Sequence, residues 1–286
     1  NRAMIILCAD DFGLTDGVSR AIAELARRRR ISATSALVTQ EDWPDHARHL
    51  AALRGDLAIG VHLNLTLGQP LGSMPRTAPS GQLPSVQQLI KRALMRQLDE
   101  PEITAELIRQ LQRFDGTVGH PPDHIDGHQH IHAFPIIRRA MIAAISAMNW
   151  PSRPLVRTPT DSLLSTMSRA RSMAKAGTVG ALAIGLRTAL ARSGLPTNDT
   201  FSGFSEFDRS VDYRVELTSN LSRAGRRHIV MCHPGHVDEN LRARDPVVER
   251  REQEYETLMA ATGLPSRIWH PDRDPDGPPI DWSTTA

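Results

Sequence analysis

Cysteine is nearly absent: Cys8 and Cys232 are the only two in 286 residues. That count excludes a disulfide scaffold and a four-cysteine structural zinc module. Aromatic residues make up only 4%, with four Trp and two Tyr, poor material for the exposed aromatic platforms of a carbohydrate-binding module. Charge of either sign is not in excess, since 34 basic residues face 32 acidic ones for a balance of +2. Such a chain lacks the electrostatic footprint of a nucleic-acid binder, and no nucleic-acid partner is expected. Lysine is scarce, with Lys91 and Lys175 against 32 arginines, a bias we attribute to genome composition. No run of 18 apolar residues exists, because the most apolar stretch, Ala174 to Ala191, is broken by Arg187 and several glycines. No membrane span is therefore expected. The segment Asn1-Arg2-Ala3-Met4 lacks the apolar region and small-residue cleavage site of a signal peptide. With free cysteines, that points to a reducing cytoplasm.

What is present is ordinary globular composition, 40% hydrophobic and 23% charged, in a chain long enough to bury a core unaided. Met4 to Ala9 is an apolar run that stops at Asp10-Asp11 and reads as a buried parallel strand. Asp16 to Arg30 has helical spacing, with Asp16 as the expected N-cap. Further strands are expected at Ala33–Val38, Leu57–Leu65, His124–His132, Leu155–Arg157 and Arg227–Cys232. Further helices are expected at Trp43–Arg54, Glu102–Phe114, Pro135–Met148 and Glu249–Thr262. Gln69 to Ser85 reads as a loop, and the Pro- and Asp-rich tail after Arg267 as irregular. Alternating strands and helices argue for α/β with a parallel sheet. No GxGxxG follows the first strand, which disfavours a dinucleotide-binding domain. The expected fold is a (β/α) barrel-like single domain over 1–286, a distorted TIM-type barrel with an insertion near 160–225.

Polar residues gather at the carboxyl ends of these strands, where parallel α/β folds assemble sites. Asp10 and Asp11 end the first strand. Adjacent side chains on extended backbone point apart, so one can ligate a metal while the other faces a water or substrate. His62 sits inside an apolar strand, and Asn64 shares its face and could steady a ligand. His124 to His132 holds four histidines in nine residues. In an extended chain Asp126, His128, His130 and His132 would share one face, and one or two of the rings could reach the same ion as His62. His233 ends another apolar strand as a candidate general acid or oxyanion donor. Cys232 could be a nucleophile beside it, although it continues the apolar strand. Arg157 could orient a carboxylate or hydroxyl, or lie on the surface. One Asp with two His is a common facial set for a divalent ion with open positions, the equipment for metal-assisted hydrolysis of an amide or ester.

Four segments carry a family resemblance: Ala9-Asp10-Asp11-Phe12-Gly13, Gly60-Val61-His62-Leu63-Asn64-Leu65-Thr66, Asp126-Gly127-His128-Gln129-His130-Ile131-His132 and Met231-Cys232-His233-Pro234. In order and spacing the chain resembles the YdjC-like carbohydrate deacetylases, which include chitooligosaccharide and hopanoid-type enzymes. The hopanoid branch usually has Asn-Ala-His-Lys-His where this chain has Asp126-Gly127-His128-Gln129-His130, so the oligosaccharide branch is the nearer one. The resemblance implies one divalent ion, Mg²⁺ or Zn²⁺, on Asp11, His62 and His128. It implies Asp10 as general base and His233 near the leaving amine or oxyanion. Asn64, Arg157, His130 and His132 are the expected substrate contacts. The implied reaction is hydrolytic removal of acetyl from an N-acetylated sugar or oligosaccharide. A homodimer is left open. The rivals are an amidohydrolase- or phosphoesterase-type metal hydrolase and a non-catalytic carbohydrate- or metal-binding protein of the same fold.

Overall fold

The structure, a computed structural model, describes residues 4–159, 185–204, 211–222, 225–245 and 248–283. Seven strands form one parallel sheet: β1 Met4–Phe12, β2 Ala33–Ala36, β3 Ala58–Leu63, β4 His124–Gly127, β5 Leu155–Val156, β6 Thr200–Ser202 and β7 Arg227–Cys232. Their order is β5-β4-β3-β2-β1-β7-β6. Helices α1 Asp16–Arg27, α2 Trp43–Ala51, α3 Val86–Leu94, α4 Glu100–Val118 and α5 Ile137–Ala147 cover the first half. Helices α6 Leu186–Arg192, α7 Tyr213–Asn220, α8 Glu239–Arg244 and α9 Glu249–Ala260 cover the second. No helix of the described residues is long and apolar enough to cross a membrane.

The sheet curls into a ring. Val156 at the β5 edge forms a parallel bridge with Thr197, in the segment that leads into β6 at the opposite edge. The Asn198 side chain clamps the seam by accepting from Thr158 N at 2.8 Å and donating to Thr158 O at 2.9 Å. Contacts across the interior follow. Cys8 Sγ on β1 lies 3.6 Å from His124 Nε2 on β4, and Arg157 beyond β5 reaches Asp10 on β1. These pairs are several strands apart in the sheet and can meet only if it closes on itself.

Strand alternation then makes two cores. Outward residues such as Leu7, Ala9, Ile59, Val61 and Val230 pack under the helices. Inward residues Ile6, Cys8, Ala33, Ala58, Leu155, Phe201, Ile229 and Met231 fill the lower barrel. Gly60 leaves space inside for a ring, because a Cβ there would lie 2.4 Å from His124 Nε2. Among the described residues the tail after Arg267 has no regular elements, as expected, yet it plugs the lower end. Trp282 is 2% exposed within the inward cluster, and its Nε1 donates to Asp123 O. Arg273 grips the Asp123 carboxylate at 2.6 and 2.8 Å.

The structure departs from several sequence expectations. Residues 160–184, 205–210 and 223–224 of the expected insertion lie outside the described residues, but its described part supplies α6, β6 and α7, so part of it belongs to the barrel wall. A three-residue strand, Thr-Phe-Ser, is too short to show a period. The expected strand His124–His132 ends at Gly127; His128–Ala133 is a tight 3₁₀ turn with positive φ at Gln129 and His130. Its histidines therefore fan out instead of sharing one face. Thr15, not Asp16, caps α1, accepting from Val18 N at 3.3 Å, and Asp16 lies in the first turn.

The plug yields a stability prediction. Trp282→Ala should cost about 3–5 kcal/mol in chemical denaturation. A loss below about 1 kcal/mol would mean that the barrel does not depend on its tail.

Candidate metal centre

The two adjacent aspartates reach one mouth because β1 is not regular. Asp10 follows Cys8 and Ile6 into the barrel. Plain alternation would send Asp11 outward. Instead the pairing of β1 with β2 shifts register between Ala9 and Phe12, and Asp11 has φ +72°. A left-handed non-glycine residue costs roughly 1–2 kcal/mol, and irregularities of this kind re-aim side chains beside active sites. Both carboxylates end up about 1% exposed.

Asp11 Oδ1 lies 3.3 Å from His62 Nε2 and 3.1 Å from His128 Nδ1. Two neighbouring ligand atoms each about 2.1 Å from one ion would be roughly 3.0–3.4 Å apart. The spacing therefore fits a cation, and the three donors all lie within 4.8 Å of one another. The ring of His62 is also oriented as a ligand needs. Its Nδ1 is 2.6 Å from Asp126 Oδ1, and a carboxylate only accepts, so Nδ1 donates and Nε2 is left to face Asp11. Burial alone would push His62 down, but Asp126, Asp10 and the hydrogen bonds to Asp11 and Asp126 override it and raise it to about 10. The surroundings thus favour positive charge at this point. Burial would likewise raise Asp11, yet Arg251, His128 and His62 hold it well below the usual carboxylate range.

Two other donor groups are compact: Asp10 with His62 and Asp126, and Cys8 with His124 and Asp126. Arg157 competes in both. Its guanidinium takes both oxygens of Asp10 at 2.7 and 2.8 Å, contacts Asp126 Oδ2 at 2.5 Å and reaches Cys8 Sγ at 3.3 Å. Arg157 thus engages both Asp10 oxygens, and with His62 both Asp126 oxygens, whereas Arg251 holds only Oδ2 of Asp11 and leaves Oδ1 facing the two rings, so Asp11, His62 and His128 form the better set.

The remaining candidates fall as follows. Asp10 receives a hydrogen bond from Ser35 Oγ at 3.2 Å, and His233 Nε2 lies 3.9 Å from its Oδ2. Burial pushes His233 down to about 4, so its ring is neutral near pH 7. Arg157 is buried, its cation held by Asp10 and Asp126. Asn64 pins the turn after β3: its oxygen accepts from Thr66 N and Leu67 N, both at 3.0 Å, and its amide donates to Thr39 and Leu67 O. His132 Nε2 lies 2.7 Å from Arg157 O, and burial pushes that ring down to about 4. The His130 ring packs against Phe201 and Phe204 at 5.8 and 5.3 Å. Cys232 faces the helix layer while Cys8 faces the barrel, and burial pushes both thiols well up, away from a thiolate nucleophile.

Four participants carry no signal at the sequence level. Ser35 is one small residue in a strand. Arg251, Asp245 and Glu254 come from the segment around α9. Arg251 Nη2 holds Asp11 Oδ2 at 2.6 Å, and Glu254 accepts from the backbone N–H of His233. One arginine among 32 cannot be singled out by spacing.

Fold and donor set together define a (β/α) barrel-like protein with a candidate divalent-metal centre at the carboxyl ends of its strands. The chain belongs to the YdjC-like family, whose sequence profile, described as YdjC-like protein, matches residues 4–262. It is 32% identical over 239 residues to a chitooligosaccharide deacetylase of Klebsiella pneumoniae (strain 342), covering 83% of this chain and 84% of that one. It is also 32% identical over 279 residues to a chitooligosaccharide deacetylase of Salmonella typhi, covering 94% and 96%. In fold it is similar to a crystal structure of an Enterococcus faecalis V583 protein provisionally assigned to cellobiose-phosphate cleavage. That match has a TM-score of 0.70 and 20% identity over 95% of this chain and 98% of that one.

Two predictions follow from the geometry. His128→Ala should keep the fold and lose stoichiometric Zn²⁺ binding; full retention of the ion would remove His128 from the set. The second concerns Glu254, whose carboxyl burial raises to about 7, against 4.5 when unfolded. The native state then binds the extra proton, so this group's contribution to stability falls as pH rises from about 4.5 to 7. Glu254→Gln should gain stability relative to wild type across that window, and a pH-independent difference in melting temperature would contradict the assignment.

Proposed function

We propose that this protein is a metal-dependent deacetylase that hydrolyses the acetamide of an N-acetylated sugar or oligosaccharide, releasing acetate and a free amine. The observation that carries the reading is the Asp11–His62–His128 donor triangle with the Asp10 carboxylate beside it in one buried mouth. The names of the Klebsiella and Salmonella relatives support the substrate class.

A divalent ion on Asp11, His62 and His128 would supply Lewis acidity and lower the pKa of a water. The chain's own residues do the rest. Asp10 accepts a proton from the attacking water, and Arg157 holds both its oxygens so that the carboxylate cannot rotate away. The C–O bond to the acetyl carbon forms and the C–N bond breaks. His233, neutral near pH 7, donates a hydrogen bond from its ring N–H to the developing oxyanion. The proton gained by Asp10 goes to the departing nitrogen, directly or through His233 at 3.9 Å. Asp126 keeps the His62 ring in its tautomer throughout.

The test is an acetate-release assay on N-acetylated oligosaccharides of increasing length with Mg²⁺, Zn²⁺ or Co²⁺ supplied. Asp10→Asn should retain the ion while turnover falls roughly 10²–10⁴-fold. Absence of acetate release from every such substrate, by protein shown to hold its ion, would contradict the reading.

A further inference from the structure

Asp11 has two carboxylate oxygens, and the structure uses them for different partners. Oδ1 faces the two rings at 3.1 and 3.3 Å. Oδ2 is held by Arg251 Nη2 at 2.6 Å, a charge-assisted hydrogen bond between groups 3% and 1% exposed. Arg251 is itself anchored, because its Nε donates to Asp245 Oδ2 at 3.0 Å and Nη2 contacts the same oxygen. Its backbone carbonyl accepts from Gly235 N at 3.0 Å, tying the segment after His233 to the same helix. A Cβ on Gly235 would lie 3.4 Å from the Arg251 Cβ, so that segment and α9 pack with little slack.

A free aspartate beside a divalent ion can offer it one oxygen or both. Two-oxygen ligation by Asp11 would fill a position that the substrate carbonyl or the water needs. Here it would also require breaking the buried Arg251 contact. Backbone placement works in the same direction, since Asp11 is re-aimed by φ +72° and a register shift and not by a free rotamer choice. We propose that Arg251 is a positioning residue that keeps Asp11 a one-oxygen ligand and so preserves an open position on the ion. The inference rests on the reading that Asp11, His62 and His128 hold that ion. Arg251 also places a positive charge next to the centre, so its removal should tighten cation binding while slowing the reaction. That pairing separates it from a residue that merely supports the fold.

The experiment compares wild type with Arg251→Met and Arg251→Lys in the full chain. It measures Co²⁺ affinity by chelator competition, the visible Co²⁺ absorption and acetate release. The Met variant should bind Co²⁺ at least as tightly as wild type. Its visible band should weaken as the coordination number rises, and kcat should fall about 10–100-fold. The Lys variant, which keeps one charge and one donor, should restore most of the band and the rate. Loss of Co²⁺ affinity together with activity in the Met variant, or an unchanged band and rate, overturns the proposal. If the Met variant does not fold, Asp245→Asn loosens the same guanidinium and should weaken the band and slow turnover; no change in either overturns the proposal equally. The underlying reading fails separately, if Asp11→Asn leaves Co²⁺ binding unaltered.

Discussion

One buried cation balances the upper barrel. Arg157 projects from just beyond β5 across the interior to Asp10 on β1, and also meets Asp126 on β4, which pairs with His62 in the β3–β4 register. Two carboxylates buried this close together would otherwise take up protons. With the guanidinium present, Asp126 stays well below the usual carboxylate range despite its burial, and it can accept from His62 Nδ1. That fixes which nitrogen of His62 is left for Asp11. Breaking a buried pair of this kind costs roughly 3–5 kcal/mol. The residue that orients the candidate base therefore also steadies a candidate ligand and helps hold the closed ring together.

A second constraint acts on the other side of β1. Bringing Asp10 and Asp11 into one mouth requires the chain to leave the regular strand, and a left-handed aspartate is the result. Such a conformation persists only where its surroundings over-determine it. Helix α9 provides that, with Arg251 on the Asp11 carboxylate and Glu254 on the His233 backbone. The ends of β1 and β7 are thus braced by one helix from near the end of the described chain.

Much of this was legible in the amino-acid order. Apolar runs at Met4–Ala9, Leu57–Leu65 and Arg227–Cys232 mark strands, their alternation with helices argues for a parallel sheet, and chain length and the family resemblance add the barrel. Asp10, Asp11, His62 and the histidines of 124–132 stand out as candidates because chemistry-bearing residues at strand ends are a local pattern, whereas the choice of Asp11, His62 and His128 as ligands and Asp10 as base comes from the family resemblance. What could not be read was non-local or irregular. The turn at His128–Ala133 depends on positive φ at Gln129 and His130, which have no glycine to announce them. Asn64 looked like a site residue because it follows His62 by two, yet its amide closes a turn. Arg157 reads as able to orient a carboxylate or hydroxyl or to lie on the surface, and only ring closure shows which carboxylates it meets, Asp10 and Asp126. The short β6 and the plug made by Trp282 gain their meaning from partners far away in sequence.

The central claim is that one cation belongs on Asp11, His62 and His128 and not on the neighbouring donor groups that share Arg157. Anomalous diffraction at the zinc edge, from crystals grown with Zn²⁺, tests it most directly. The account predicts a single strong peak within bonding distance, about 2.0–2.2 Å, of Asp11 Oδ1, His62 Nε2 and a His128 ring nitrogen. A peak seated among Cys8, His124 and Asp126, or no peak in the barrel mouth at all, would contradict it.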